Sequence, residues 1–324
     1  MNAWRRYADN DWFGPLVTLA LGLLIMGIAK PSFFSPLNIA ILLSAVAVNT
    51  LTAFSQLVVL SIGQMNLAVG AVGGLAAVCF ASLMAYWSVP YPVAILAGLA
   101  IGILAGLLNG YLVAVLDVSS FVVTLASFSV FKGVTLAITQ AKPIYGIAEP
   151  VKWFGNASVL GFAPVALLPM LAATAALLYF YARLPLGRQL LAVGMSRQGA
   201  QFSGIPLRRT IVLSYVLSGL LAAVAGMVLV ARLQSGHPAI GDDWLILSFA
   251  APIIGGVALN GGSVSIIGTV FAVAIVALID QALVLLNVDP YIIQVILGFL
   301  ILAVVLLNRA KAVLLRSTGR ARVG

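Results

Sequence analysis

Charge is what this sequence has least of. Only 8% of its 324 residues are Asp, Glu, Lys or Arg, and 63% are hydrophobic, whereas about a quarter of an ordinary soluble domain is charged. A water-soluble globular chain is excluded. Histidine occurs once, at His237 beside Pro238, so no histidine pair can hold a metal. Cysteine also occurs once, at Cys79 inside an apolar run, so no disulfide can close within the chain. HExxH, GxSxG, CxxC and the GxxxxGK(S/T) phosphate loop are all missing. The expectation is no catalytic residue, no metal site and no cofactor in this chain, which disfavours a membrane-embedded enzyme.

What the sequence has is length of apolar run. About twenty helical residues cross the hydrocarbon of a bilayer. Ten stretches qualify, at 13–29, 37–60, 67–87, 91–116, 121–139, 162–182, 210–231, 244–259, 264–286 and 291–308. The fold class expected is all-α: a polytopic membrane protein of about ten transmembrane helices with one or two broken or re-entrant segments. The whole chain, 1–324, reads as one membrane domain. The first run follows Arg5 and Arg6 without a small-residue cleavage site after it, and reads as a retained span.

The net charge of +9 does not point to nucleic acid, because of where the cations lie. Twelve of the seventeen Lys and Arg fall in three segments: the amino end (1–12), a central loop (183–209) and a basic tail (309–324). Short loops rich in Lys and Arg stay in the cytoplasm. Ten spans starting inside put all three segments, and both termini, on the cytoplasmic side, with membrane lipid as the only polyanion partner. The opposite side receives Lys30, Lys142, Lys152 and Arg232, with Glu149, Asp242, Asp243 and Asp289.

The central loop carries Arg183, Arg188, Arg197, Arg208 and Arg209 and no acid, and proline and glycine divide it into one or two short helices. It reads either as a docking surface for a cytoplasmic partner or as an ordinary positive-inside loop. Two spans are irregular. SIGQMNLAVGAVGG at 61–74 and APIIGGVALNGG at 251–262 are too rich in glycine for lipid-facing helices. Non-helical backbone at membrane depth survives only where protein or water satisfies it, so both read as broken or re-entrant segments. Gly98, Gly102 and Gly106 recur every four residues and read as a helix-packing face.

Polar side chains within spans are costly and are candidates for a translocation path. Lys132 and Asp280 carry charge, and each reads as a functional group or as half of an ion pair with the other. Asn49 and Gln56 lie two turns apart on one face, and Gln64, Asn66, Asn109 and Gln281 add uncharged donors and acceptors. Such groups suit a neutral, hydroxyl-rich solute, or they are interhelical hydrogen bonds.

Four motifs in order carry a resemblance. GQMNLAVG at 63–70 looks like GGIDLSVG; SSFVVTLASFSVFKGVTLAITQAKPIYG at 119–146 is similar to a fifth-span signature. AVGMSRQGAQFSGI at 192–205 looks like AIGGNEEAARLSGI, and AAPIIGGVALNGGSVSIIGT at 250–269 resembles IGGTSLSGGRGSVLGT. The chain thus resembles, over about 38–305, the permease subunits of bacterial ABC importers for monosaccharides, of the ribose, xylose and arabinose type. The resemblance implies a transport subunit in the bacterial inner membrane, paired with a second permease copy as a homodimer or paralogous heterodimer. It also implies a periplasmic solute-binding protein outside and a cytoplasmic ABC ATPase that binds the ATP and Mg. The matching motif implies that Ser196, Arg197, Gln198, Gly199, Ala200, Gln201, Phe202, Ser203, Gly204 and Ile205 form the ATPase-coupling segment. Asn66 stands where the family has an aspartate, and Arg197 and Gln198 where it has two acids. Members serve other solutes too, and more distant relatives move branched-chain amino acids. The alternative class is a stand-alone channel or an ion-coupled secondary carrier using Lys132 and Asp280.

Overall fold

The computed structural model of the chain describes residues 12–159 and 161–289, with 292, 295, 298 and 299. Twelve α-helices make up the described part: α1 (Phe13–Ala29), α2 (Pro36–Leu60), α3 (Val69–Ala85), α4 (Tyr91–Ala114), α5 (Ser120–Thr139), α6 (Glu149–Asn156), α7 (Leu167–Arg183), α8 (Pro185–Met195), α9 (Arg197–Phe202), α10 (Leu207–Leu233), α11 (Trp244–Ile254) and α12 (Ile266–Leu285). A two-residue hairpin, β1 (Ser158–Val159) with β2 (Ala163–Pro164), sits in the connection to α7 and does not alter the all-α class.

Local chemistry sets the ends. Ser35 caps α2, its hydroxyl accepting from Asn38 N at 3.4 Å, with Pro36 at the first helical position. Ser196 caps α9 in the same way, accepting from Gly199 N at 3.1 Å. Gln140 and Gln234 adopt left-handed backbone at the ends of α5 and α10. Pro252 removes an amide from α11, which stops within one turn at Gly255.

The architecture is a multi-pass membrane bundle with α2 and α10 at its centre. The second half of α2, from Val46 to Leu60, is buried almost without interruption, and α10 packs on α4, α2 and α3. The face of α4 read from the sequence meets α10: Gly98 lies on Met227, Gly102 on the carbonyl of Gly219, and Gly106 on the carbonyl of Tyr215. A side chain at Gly102 or Gly106 would collide with backbone, so glycine sets this helix separation.

The count of ten spans is not reproduced. Among the described residues five helices (α2, α4, α5, α10 and α12) are long and apolar enough to cross a membrane, or six when α7 and α8 are joined across a 74° bend. Helices α1 and α3 have 17 residues each, and α11 only 11 where a span of 244–259 is expected. All but four residues of the expected tenth span, the amino end through residue 11 and the basic tail lie outside the described residues.

Both irregular segments are broken. Chain between α2 and α3 runs non-helically through 61–68, and that between α11 and α12 through 255–265. A third irregularity was not foreseen. From the end of α10, residues 234–243 turn back along α3, with Gly236 against Ala81, the Ile240 carbonyl at Gly74 and the Gly241 carbonyl at Gly70. Passing eleven residues of α3 takes this segment about 16 Å down the bundle before α11 begins.

Candidate functional site

The uncharged candidates are found in the first break. Backbone that leaves a helix at this depth must find other partners, and 63–68 does so. Gly63 N and Gln64 N donate to the carbonyls of Leu60 (2.8 Å) and Val59 (3.2 Å). The Gln56 side-chain amide, oriented so that both ends are paired, donates to the Asn66 carbonyl at 2.9 Å and accepts from Asn66 N at 3.3 Å. Tyr215 Oη donates to the Met65 carbonyl at 3.0 Å, and Leu67 N donates to Thr124 Oγ1 at 3.0 Å. The Asn66 side chain accepts from Ala68 N at 3.0 Å and donates to Ser218 Oγ at 2.9 Å. Ser218 in turn receives Ser55 Oγ on its carbonyl at 2.8 Å.

Gln56 and Asn66 therefore act as substitute backbone partners, tying the break to α10, and both are buried. The Asn66 side-chain oxygen accepts from Ala68 N just before α3, a role that needs only an acceptor and that a carboxylate at this position would serve equally. Asn109 is buried in α4 and accepts from Ser127 Oγ of α5 at 2.5 Å, while its Nδ2 has no partner among the described residues. Gln281 fastens α12 to the start of α2 through the Asn38 carbonyl, at 2.8 Å. Gln64 is buried in the first break, and Asn49 is partly buried on α2.

The charged candidates lie elsewhere and do not pair with each other. Lys132 forms an ion pair with Asp242, and donates to the Pro238 carbonyl at 2.8 Å. Both partners belong to the descending segment, so one lysine on α5 ties down the two ends of 238–242. Lys132 lies seven residues, about 10 Å, before the end of α5. Its side chain is 22% exposed and that of Asp242 49%. Asp243 is exposed next to it, and Asp280 of α12 is exposed within electrostatic reach of Asp243. Lys132, Asp242, Asp243 and Asp280 thus form one charged face, open in the single chain, bordered by α5, α11 and α12. Asp242 and Asp243 were missed because they read as outer-loop acids; the small residues of α3 that admit the descending backbone are the only sequence signal for their position.

The arginine loop forms two helices, as its prolines and glycines imply. α8 buries Gly187, Leu190 and Val193 against the bundle. α9 projects: Ser196, Arg197, Gln198 and Gly199 are exposed, only Ala200 is buried, and Phe202 is 92% exposed. Gln201, Ser203 and Gly204 are exposed as well, and Ile205 is partly buried where the chain turns into α10. The exposed residues make a continuous edge of cation, amide and one aromatic ring. Among the described residues, no three His, Cys, Asp or Glu side chains are grouped to hold a metal.

Residues 38–305 match the family described as branched-chain amino acid transport system / permease component. The chain is 37% identical over 301 residues to the ribose import permease protein of Bacillus subtilis (strain 168), covering 92% of this chain and 93% of that one. It is 36% identical over 296 residues to a probable ABC transporter permease protein of Escherichia coli (strain K12), covering 91% and 88%. To the D-allose transport system permease protein of the same organism it is 31% identical over 300 residues, covering 92% of each.

Proposed function

The chain belongs to this permease family, and we propose on that premise that it is the membrane-spanning subunit of an ATP-binding-cassette importer that translocates a monosaccharide. One observation carries the reading: 37% identity to a ribose import permease along 92% of the chain. It is a transport subunit rather than an enzyme. ATP and Mg belong to a cytoplasmic ATPase partner, and a periplasmic solute-binding protein delivers the sugar.

We place the chain in the bacterial inner membrane with both termini cytoplasmic. Adding α1, α3 and α11 to the six longer spans gives nine of the ten crossings expected; the tenth, at 291–308, lies almost wholly outside the described residues. The exposed edge of α9 supports the assignment of Ser196 to Ile205 as the ATPase-coupling segment, with Phe202 as its apolar anchor. The translocation path runs along the charged face. Charges exposed at membrane depth are not tolerated against lipid, so Lys132, Asp242, Asp243 and Asp280 face water shared with a second permease copy. Gln56 and Asn66 hold the first break to α10, Asn109 joins α4 to α5, and Gln281 joins α12 to α2.

The test is reconstitution in liposomes of this chain with the ATPase and binding protein of its own operon, measuring ATP hydrolysis across a panel of sugars. Sugar-stimulated hydrolysis that needs all three components supports the importer. Gradient-driven uptake by this chain alone refutes it.

A further inference from the structure

The two breaks and the arginine loop meet at one point, where backbone touches backbone. Gly262 N donates to the Ser61 carbonyl at 2.9 Å, joining the second break to the first. Gly194, in the last turn of α8, lies on that hydrogen bond: a Cβ there would overlap both the Ser61 carbonyl and the Gly262 amide. Gly261, at φ +83°, packs on the backbone of Gly63 and on Gly194. Gly262, at φ +84°, packs on Met195, whose Cα stands 3.1 Å from where its Cβ would be. Tyr181 of α7 closes the junction from behind, its Oη donating to Ser61 Oγ at 3.1 Å. α8 continues into α9 with the cap residue Ser196 alone between them.

Side chains take up displacement by changing rotamer, whereas backbones in contact cannot. Any shift of α8 and α9 is therefore delivered to both breaks together. One break leads to the Asn66 loop and α3. The other adjoins α11, whose opposite end carries the Asp242 segment. We infer that Gly194, Gly262 and Ser61 form a transmission joint, positioning residues that pass motion of the ATPase-bound helices to both broken spans. The inference rests on the importer reading.

Gly194→Ala and Gly262→Ala test it in proteoliposomes holding the complete complex. The expected result is that the ATPase stays bound and hydrolyses ATP, while sugar imported per ATP falls about tenfold, within the ordinary range of inter-site coupling. Gly161→Ala serves as control: Gly161, between β1 and β2, also has positive φ but meets nothing at its Cβ position and lies outside both the joint and the coupling segment, so it keeps native stoichiometry. Unchanged import per ATP in both joint variants overturns the joint. Should either variant fail to fold, spin labels on the exposed Met195 and Leu259 of an otherwise native complex decide. The joint requires their separation to hold constant between nucleotide states while Met195 moves relative to Tyr111 on α4. A Met195–Leu259 separation that changes as much as the Met195–Tyr111 one overturns it. A native chain that couples to no ATPase would instead refute the importer reading.

Discussion

Gln56 gives the sharpest test of how the first break is held. The Gln56 side chain is fully buried, and its amide is the partner of both the N–H and the carbonyl of Asn66. Gln56→Leu keeps the volume and removes both hydrogen bonds. Two backbone groups are then left unsatisfied where no water replaces the lost partner. Each costs about 1–3 kcal/mol, so the loss expected is about 2–6 kcal/mol. Part of the cost is offset by the better transfer of leucine into an apolar site, which places the outcome toward the lower figure. Gln56→Glu separates shape from pairing: its carboxyl can accept from Asn66 N but, when ionised, cannot donate to the carbonyl. The assay is equilibrium unfolding of the purified chain in mixed micelles, with ligand-free protein throughout. Gln56→Leu indistinguishable from native would refute the claim that this side chain substitutes for backbone.

The ion pair at Lys132 makes a second prediction. Lys132→Met leaves Asp242 unpaired; both partners are partly exposed, so the cost is about 1–3 kcal/mol, between a surface pair and a buried one. Adding Asp242→Leu recovers most of it, and a double-mutant-cycle coupling below about 0.3 kcal/mol would remove the pair as a contributor. At the coupling segment, Arg197→Glu is expected to weaken ATPase association about tenfold, or about 1.4 kcal/mol, read by co-purification under graded salt. An acid suits the start of α9 better than an arginine does, so weakened binding would not reflect melting of the helix. Unchanged co-purification would mean that Arg197 does not face the partner.

Local chemistry made some of this legible in the sequence. Gly63 and the polar residues after it announce a break because they interrupt an apolar run, and the structure breaks there at 61–68, whereas Gly70, Gly73 and Gly74 lie in α3. The four-residue glycine spacing on α4 needs only helical geometry to become a packing face. Pro185 opens the first helix of the arginine loop and Gly204 and Pro206 follow the second, with the division between the two at Ser196. What stayed hidden depends on residues far apart in the chain. Gln56 looks like a path-lining amide until the backbone of Asn66 is placed against it. Asp280 looks like the natural partner of Lys132, because both sit in apolar runs and Asp242 sits in a polar one. The descent of 234–243 along α3 reverses that, and it depends on Gly70 and Gly74 giving the returning backbone room. Counting twenty-residue runs overstated α11 for the same reason: non-helical chain flanks it on both sides, at 234–243 and 255–265.

The glycine seam between α4 and α10 has a consequence for how the protein is made. Gly102 and Gly219 touch each other's backbone, yet more than a hundred residues separate them in the chain. At ordinary rates of synthesis α4 enters the bilayer roughly ten seconds before its partner emerges. During that wait its notched side faces lipid, which cannot fill a groove shaped for a helix. The nascent chain therefore passes through a stage in which this backbone contact is vacant, and any factor that shelters half-made membrane proteins would find its handle there.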